Sequence, residues 1–84
     1  MSKAKKHKRN EHGINILSKN IRKHRKLKGW TIQQLADKLD LDYSQISRME
    51  RGIVNSNVSI IFNIATILEI KAKDLLDEDD SPFQ

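Results

Sequence analysis

Between positions 43 and 51, Tyr43, Ser44, Gln45, Ser47, Arg48 and Arg51 all carry side chains that can hydrogen-bond. At 3.6 residues per helical turn, Tyr43, Ser44, Ser47, Arg48 and Arg51 share one arc that faces away from Ile46 and Met49, with Gln45 on its flank. Hydroxyls, an amide and two guanidiniums are the groups that read base edges and grip phosphates. A short helix with so narrow an apolar edge and a polar, basic outer arc suits the major groove of DNA; the plain alternative is a solvated helix face. Other chemistry is poorly supplied. His7 and His12 belong to an N-terminal stretch without apolar anchors, and His24 sits alone on a helix edge, so no nucleophile, base and orienting group converge and no enzyme is expected. The two N-terminal histidines lack a carboxylate cluster, so no metal site is expected either. There is no cysteine, hence no disulfide framework and no thiolate, as suits a reducing compartment. No cofactor and no small-molecule ligand are expected.

Charge is unevenly laid along the chain. Its 84 residues hold 16 Lys+Arg against 11 Asp+Glu, for a net charge of +5. Residues 1–13 carry a net +4, residues 14–56 a net +5 and residues 57–84 a net −4. Such asymmetry fits a molecule that meets a polyanion with one side and keeps the other side away from it. Lys3, Lys5, Lys6, Lys8 and Arg9 have no large apolar neighbour after Met1, so residues 1–13 are expected to form a disordered basic arm. Residues 78–84, within and after the acidic run that starts at Asp77, are expected to form a frayed acidic tail. Residues 14–77 are left as one domain, with a core thin enough that a second copy would help complete it. The longest apolar stretch, Val58 to Ile70, is interrupted by Ser59, Asn63, Thr66 and Glu69 and is too short and polar to span a bilayer. No apolar stretch follows the basic start, as a secretory signal would require. A soluble, cytoplasmic protein without membrane contact is expected.

Five helices must carry these residues. Leu17, Ile21 and Leu27 mark a first helix that should stop at Gly29, a residue able to take the left-handed conformation that ends helices. Thr31 offers an N-cap, and Ile32, Leu35, Ala36 and Leu39 share a face of a second, short helix. Asp40 must then accept a positive φ in the turn, and Asp42 caps the third helix, Tyr43 to Arg51, which Gly52 ends. The fourth helix runs from an Asn57 cap through Val58 to about Leu68. Its apolar residues cover more than half the circumference, so the edge Ile60, Ile64 and Ile67 is expected to meet a second subunit. A last turn, Ala72 to Leu76, supplies Leu75 to the core. Trp30 is read as a lid on that core rather than as a stacking platform.

Four blocks occur in order: Ile21-Arg22-x-x-Arg25; Gly29-Trp30-Thr31-x-x-x-Leu35-Ala36; Ile46-Ser47-Arg48-Met49-Glu50-Arg51-Gly52; and Ile64-Ala65-x-x-Leu68 with Leu75. On these blocks, residues 17–76 resemble the phage-repressor and Cro-like helix-turn-helix family, often called Xre-like. The resemblance implies an all-α fold, a compact five-helix bundle of the lambda-repressor-like type, whose third helix is the recognition helix. Carried over by position, it implies that Tyr43, Ser44, Gln45 and Arg48 face base edges with Ser47 close by, that Thr31, Gln33, Arg51 and Asn55 meet phosphates, and that Arg25 and Glu50 form a partly buried ion pair. The chain departs from the family pattern at three places. Ile32 stands where a phosphate-contacting glutamine is usual, Asp40 replaces the turn glycine, and Ser56 replaces a loop proline.

The function implied is sequence-specific recognition of double-stranded DNA by a transcriptional regulator, as a homodimer on a roughly palindromic operator. The competing expectation is an antitoxin-like interaction protein that holds a toxin-like partner through its apolar fourth-helix edge or acidic tail while regulating its own operon.

Overall fold

Residues 8–78 are described by a computed structural model. The arm residues Lys3, Lys5 and Lys6, and residues 79–84, lie outside the described residues. The elements are α1 (Glu11–Leu27), α2 (Ile32–Leu39), α3 (Tyr43–Glu50), α4 (Val58–Leu68) and α5 (Ala72–Leu76), with no strand among the described residues. Their starts follow from short polar side chains that satisfy the free N–H groups of a first turn. Thr31 Oγ1 accepts from Gln34 N while Gln34 Oε1 accepts from Thr31 N, a reciprocal capping box. Asn57 Oδ1 accepts from Ile60 N at 2.9 Å.

The stops of α1 to α4 share one device. A residue with positive φ follows each helix: Gly29 (76°), Asp40 (58°), Gly52 (71°) and Glu69 (61°). The next amide then reaches back across the last turn, as Trp30 N to Arg25 O, Leu41 N to Ala36 O, Ile53 N to Arg48 O and Ile70 N to Ala65 O. This is the Schellman arrangement, which satisfies carbonyls that a helix end leaves open.

α1 begins within the stretch expected to be arm. Asn10 Oδ1 accepts from Gly13 N at 2.8 Å and Glu11 stands in the first turn, where its charge complements the helix dipole. Ile14 is already buried, so residues 11–13 belong to the folded domain rather than to an arm. Leu27, expected among the apolar residues of the first helix, is 73% exposed.

The core gathers Leu17 and Ile21 of α1, Leu35 and Ala36 of α2, Ile46 and Met49 of α3, Ile64, Ala65 and Leu68 of α4, and Leu75 of α5. The expectation for Ile64 is corrected here. Ile64 is fully buried, because Ile61, Ile64, Ala65 and Leu68 form the arc of α4 that faces the bundle, and it is not on an outer edge. Ile60 and Ile67 are half-buried against the core on one flank of that arc. The open apolar residues of α4 lie on the other flank: Val58 at 67% and Phe62 at 58% exposure. Asn20, buried in α1, donates through Nδ2 to Leu75 O and Asp77 O, both at 2.9 Å, and ties the end of α5 to the first helix.

Candidate nucleic-acid interface

α3 is held from behind and open in front. Ile46, Met49 and Glu50 are buried, whereas Tyr43, Ser44 and Arg48 are exposed, as is Arg51 just after the helix; Gln45 and Ser47 are half-buried. The polar residues spaced for one arc therefore do present one arc to solvent, set on a helix whose other side is locked into the core.

An ion pair fixes the position of that helix. Arg25 Nε donates to Glu50 Oε2 at 2.6 Å and Arg25 Nη2 to Glu50 Oε1 at 2.9 Å, a bidentate fork between residues 8% and 4% exposed. Arg25 Nη1 also donates to Trp30 O at 2.7 Å, so one guanidinium joins α1, the α1–α2 turn and the end of α3. The Glu50 hydrogen bonds raise the pKa of Arg25 above its ordinary value against the opposing effect of burial. Arg22 Nη2 donates to Glu50 O at 2.8 Å, which satisfies a carbonyl at the end of the helix. Gly52 turns the chain away where a Cβ would lie 3.0 Å from Asn15 Oδ1.

Around this arc stand the residues assigned to phosphate by resemblance. Thr31, Gln33, Arg51 and Asn55 are all exposed. Thr31 already uses its hydroxyl oxygen in the capping box, Gln33 Nε2 donates to Asp37 Oδ1 at 2.8 Å, and Arg51 Nε lies 3.4 Å from Ser47 O. Gln45 Oε1 accepts from Asp42 N at 2.9 Å, so Gln45 has a capping task that sequence spacing did not reveal. Its place at the third helical position was the available signal.

Arg9 also departs from expectation. Its Nη1 donates to Ile53 O at 3.0 Å and its Nε lies 2.9 Å from Glu11 Oε2. The loop that carries Asn55 is thereby tied to the residue at which the basic stretch meets the fold. Trp30 packs on the core edge, with Lys38 Nζ 4.6 Å and Lys28 Nζ 5.7 Å from its ring centroid. His24, partly buried, has its pKa lowered by desolvation and then by Lys23, and no nucleophile or second base joins it. Among the described residues no group of three or more His, Asp or Glu could hold a metal ion, and no helix is long and apolar enough to cross a membrane.

Fold and arc together define a helix-turn-helix domain in which α2 and α3 form the motif and α3 the exposed reading helix. The helix-turn-helix family model HTH_3 matches residues 21–75, and the chain belongs to this Xre-like family of transcriptional regulators. It is 30% identical over 70 residues to the HTH-type transcriptional regulator SlrR of Bacillus subtilis, covering 82% of this chain and 46% of SlrR. The chain thus spans about half the length of that curated relative. Among solved structures it is similar to the hypothetical transcription factor NHTF from Neisseria, with a TM-score of 0.76 and 33% identity over 82% of this chain and 80% of that one. It is also similar to the restriction-modification controller protein C.AhdI from Aeromonas hydrophila, with a TM-score of 0.71 and 31% identity over 74% and 94% of the two chains.

Proposed function

We propose that the protein binds double-stranded DNA sequence-specifically and regulates transcription, as a homodimer on a roughly palindromic operator. The observation that carries this reading is the exposed polar arc of α3, backed by the buried Arg25–Glu50 fork. A solvated helix face needs no such anchoring, whereas a reading helix must hold its side chains in register with base edges. In this reading Tyr43, Ser44, Ser47 and Arg48 meet bases. Gln45 contributes its free amide N–H groups to bases while its oxygen stays on Asp42 N. Thr31, Gln33, Arg51 and Asn55 meet phosphates, and the basic stretch from Lys3 to Arg9 adds affinity without sequence choice.

Dimerisation is assigned to the exposed flank of α4, centred on Phe62 with Val58, with Ile60 and Ile67 giving only their half-buried edges. The same flank supports a second reading, in which a partner protein covers Phe62 and Val58 and the chain acts as an antitoxin-like regulator of its own operon. Selection of binding sites from random duplex DNA tests the first reading, since one experiment returns sequence, palindromy and half-site spacing. Enrichment of an inverted repeat with half-sites about 10 base pairs apart is expected, and recovery of unenriched DNA would overturn it.

A further inference from the structure

A groove of about 390 Å³ runs along the outer face of α1. Ile16 lies in its lining, Lys19, Lys23 and Lys26 supply positive charge, and Asp77 and Glu78 line it from the far end of the chain. No residue assigned above to bases or phosphates lines this groove. Its cationic lining has an apolar element at Ile16, a combination that suits a short acidic segment carrying an apolar side chain.

Such a segment begins at the groove itself. Asn20 fixes Leu75 and Asp77 through two hydrogen bonds to their carbonyls, and His12 Nε2 stands 3.2 Å from Glu78 Oε2. The chain is therefore already laid against α1 when it reaches Glu78. The residues that follow are Asp79, Asp80, Ser81, Pro82, Phe83 and Gln84. They offer two carboxylates, then a proline that restricts the backbone, then an aromatic ring. Six residues reach up to roughly 20 Å when extended, about the length of α1 from His12 to Lys26 at 1.5 Å per residue.

We propose that residues 79–84 seat in this groove of their own chain, with Asp79 and Asp80 against the lysines and Phe83 on Ile16. The contact masks a basic face of α1, so DNA phosphates are met by the arm and the α3 side alone. It is electrostatic in part and weakens as salt rises. The inference stands apart from the DNA reading, because neither the groove nor the segment belongs to that site.

The chain has no cysteine, so Ser81→Cys in the full chain gives a single point for a nitroxide label. Expected are selective broadening of the amide signals of Ile16 and Lys19, loss of that broadening in Lys19→Glu/Lys23→Glu, and its recovery when Asp79→Lys/Asp80→Lys is added. Broadening confined to residues 74–78, or unchanged by the charge reversals, overturns the proposal. Broadening seen in unlabelled, isotope-enriched copies mixed with labelled protein also overturns it, since the occupant would then be a second copy's segment.

Discussion

Arg48 differs from its neighbours on the α3 arc in being both exposed and forked, since Arg51 follows the helix and turns its Nε toward Ser47 O. A guanidinium projecting from the middle of a reading helix matches the O6 and N7 acceptors of guanine in the major groove. Arg48→Ala should cost about 1–3 kcal/mol on the preferred site and relax choice at one position of each half-site. Competition binding against a panel of single-base variants measures this, and equal weakening on every sequence would make Arg48 a phosphate contact instead. Glu50 is the contrasting case, a charge whose task lies inside the molecule. It accepts both arms of the Arg25 fork at 4% exposure, so Glu50→Ala leaves a buried guanidinium uncompensated, at a cost of about 3–5 kcal/mol. A domain this small has a total stability of about 5 kcal/mol. The variant should therefore be largely unfolded near 37 °C by circular dichroism, and a melting temperature equal to that of the parent would refute the assignment. Replacing Arg25 and Glu50 together by apolar residues of similar volume should recover much of the loss, since no lone charge then remains buried.

At the scale of elements, most boundaries were legible because each rests on one residue with a local physical reason. Gly29 and Gly52 accept the left-handed stop, Thr31 and Asn57 supply a cap oxygen, and Asp40 was the only residue placed to turn the chain between α2 and α3. What was not legible had no such local signature. The start of α1 was hidden because the run from Lys3 to Arg9 masks the Asn10 cap, and Gly13 in a first turn reads as a breaker. Ile64 was misplaced because a helix apolar around most of its circumference does not disclose which arc faces the bundle; that depends on where α2 and α5 lie. The polar arc of α3 could be read directly from spacing, but the second task of Gln45 could not, since capping and base contact ask for the same side chain. Asp40 gives this scale its prediction. Its φ of 58° is a conformation that glycine adopts freely and Asp only with some strain, offset in part by the entropy glycine loses on folding. Asp40→Gly should stabilise by about 0.5–1 kcal/mol, a rise in melting temperature of roughly 2–8 °C. It also removes a negative charge from the turn that leads into the reading helix, so DNA affinity should rise at low salt. A lower melting temperature would show that the Asp40 side chain contributes more than its backbone strain costs.

For the molecule as a whole, dimer geometry and charge distribution determine how two reading helices reach one duplex. If the flank of α4 around Phe62 is the dimer contact, Phe62→Glu should sediment as a monomer with an unchanged melting profile, because Phe62 is 58% exposed and leaves no cavity. Ile67→Glu should separate subunits only together with a loss of stability, since Ile67 is packed against the core. A parent protein that stays monomeric at high concentration would assign that flank to another partner. The basic stretch then acts on the assembled dimer. Arg9 is tied to Ile53 O beside the loop that holds Asn55, so Lys8 and the residues before it depart from a point next to a proposed phosphate contact rather than from a remote end. Each phosphate neutralised contributes about 0.9 to the slope of log affinity against log salt on duplex DNA. Deleting residues 2–8 removes Lys3, Lys5, Lys6 and Lys8 but keeps Arg9, so the slope per subunit should flatten by up to about 3.6, with the preferred sequence unchanged. An arm that instead enters the minor groove and senses its width would lose preference at positions flanking or between the half-sites. Titrations across a salt series on the selected operator and on flank-scrambled duplexes distinguish the two, and an unaltered slope with unaltered preference would leave the stretch with no part in binding.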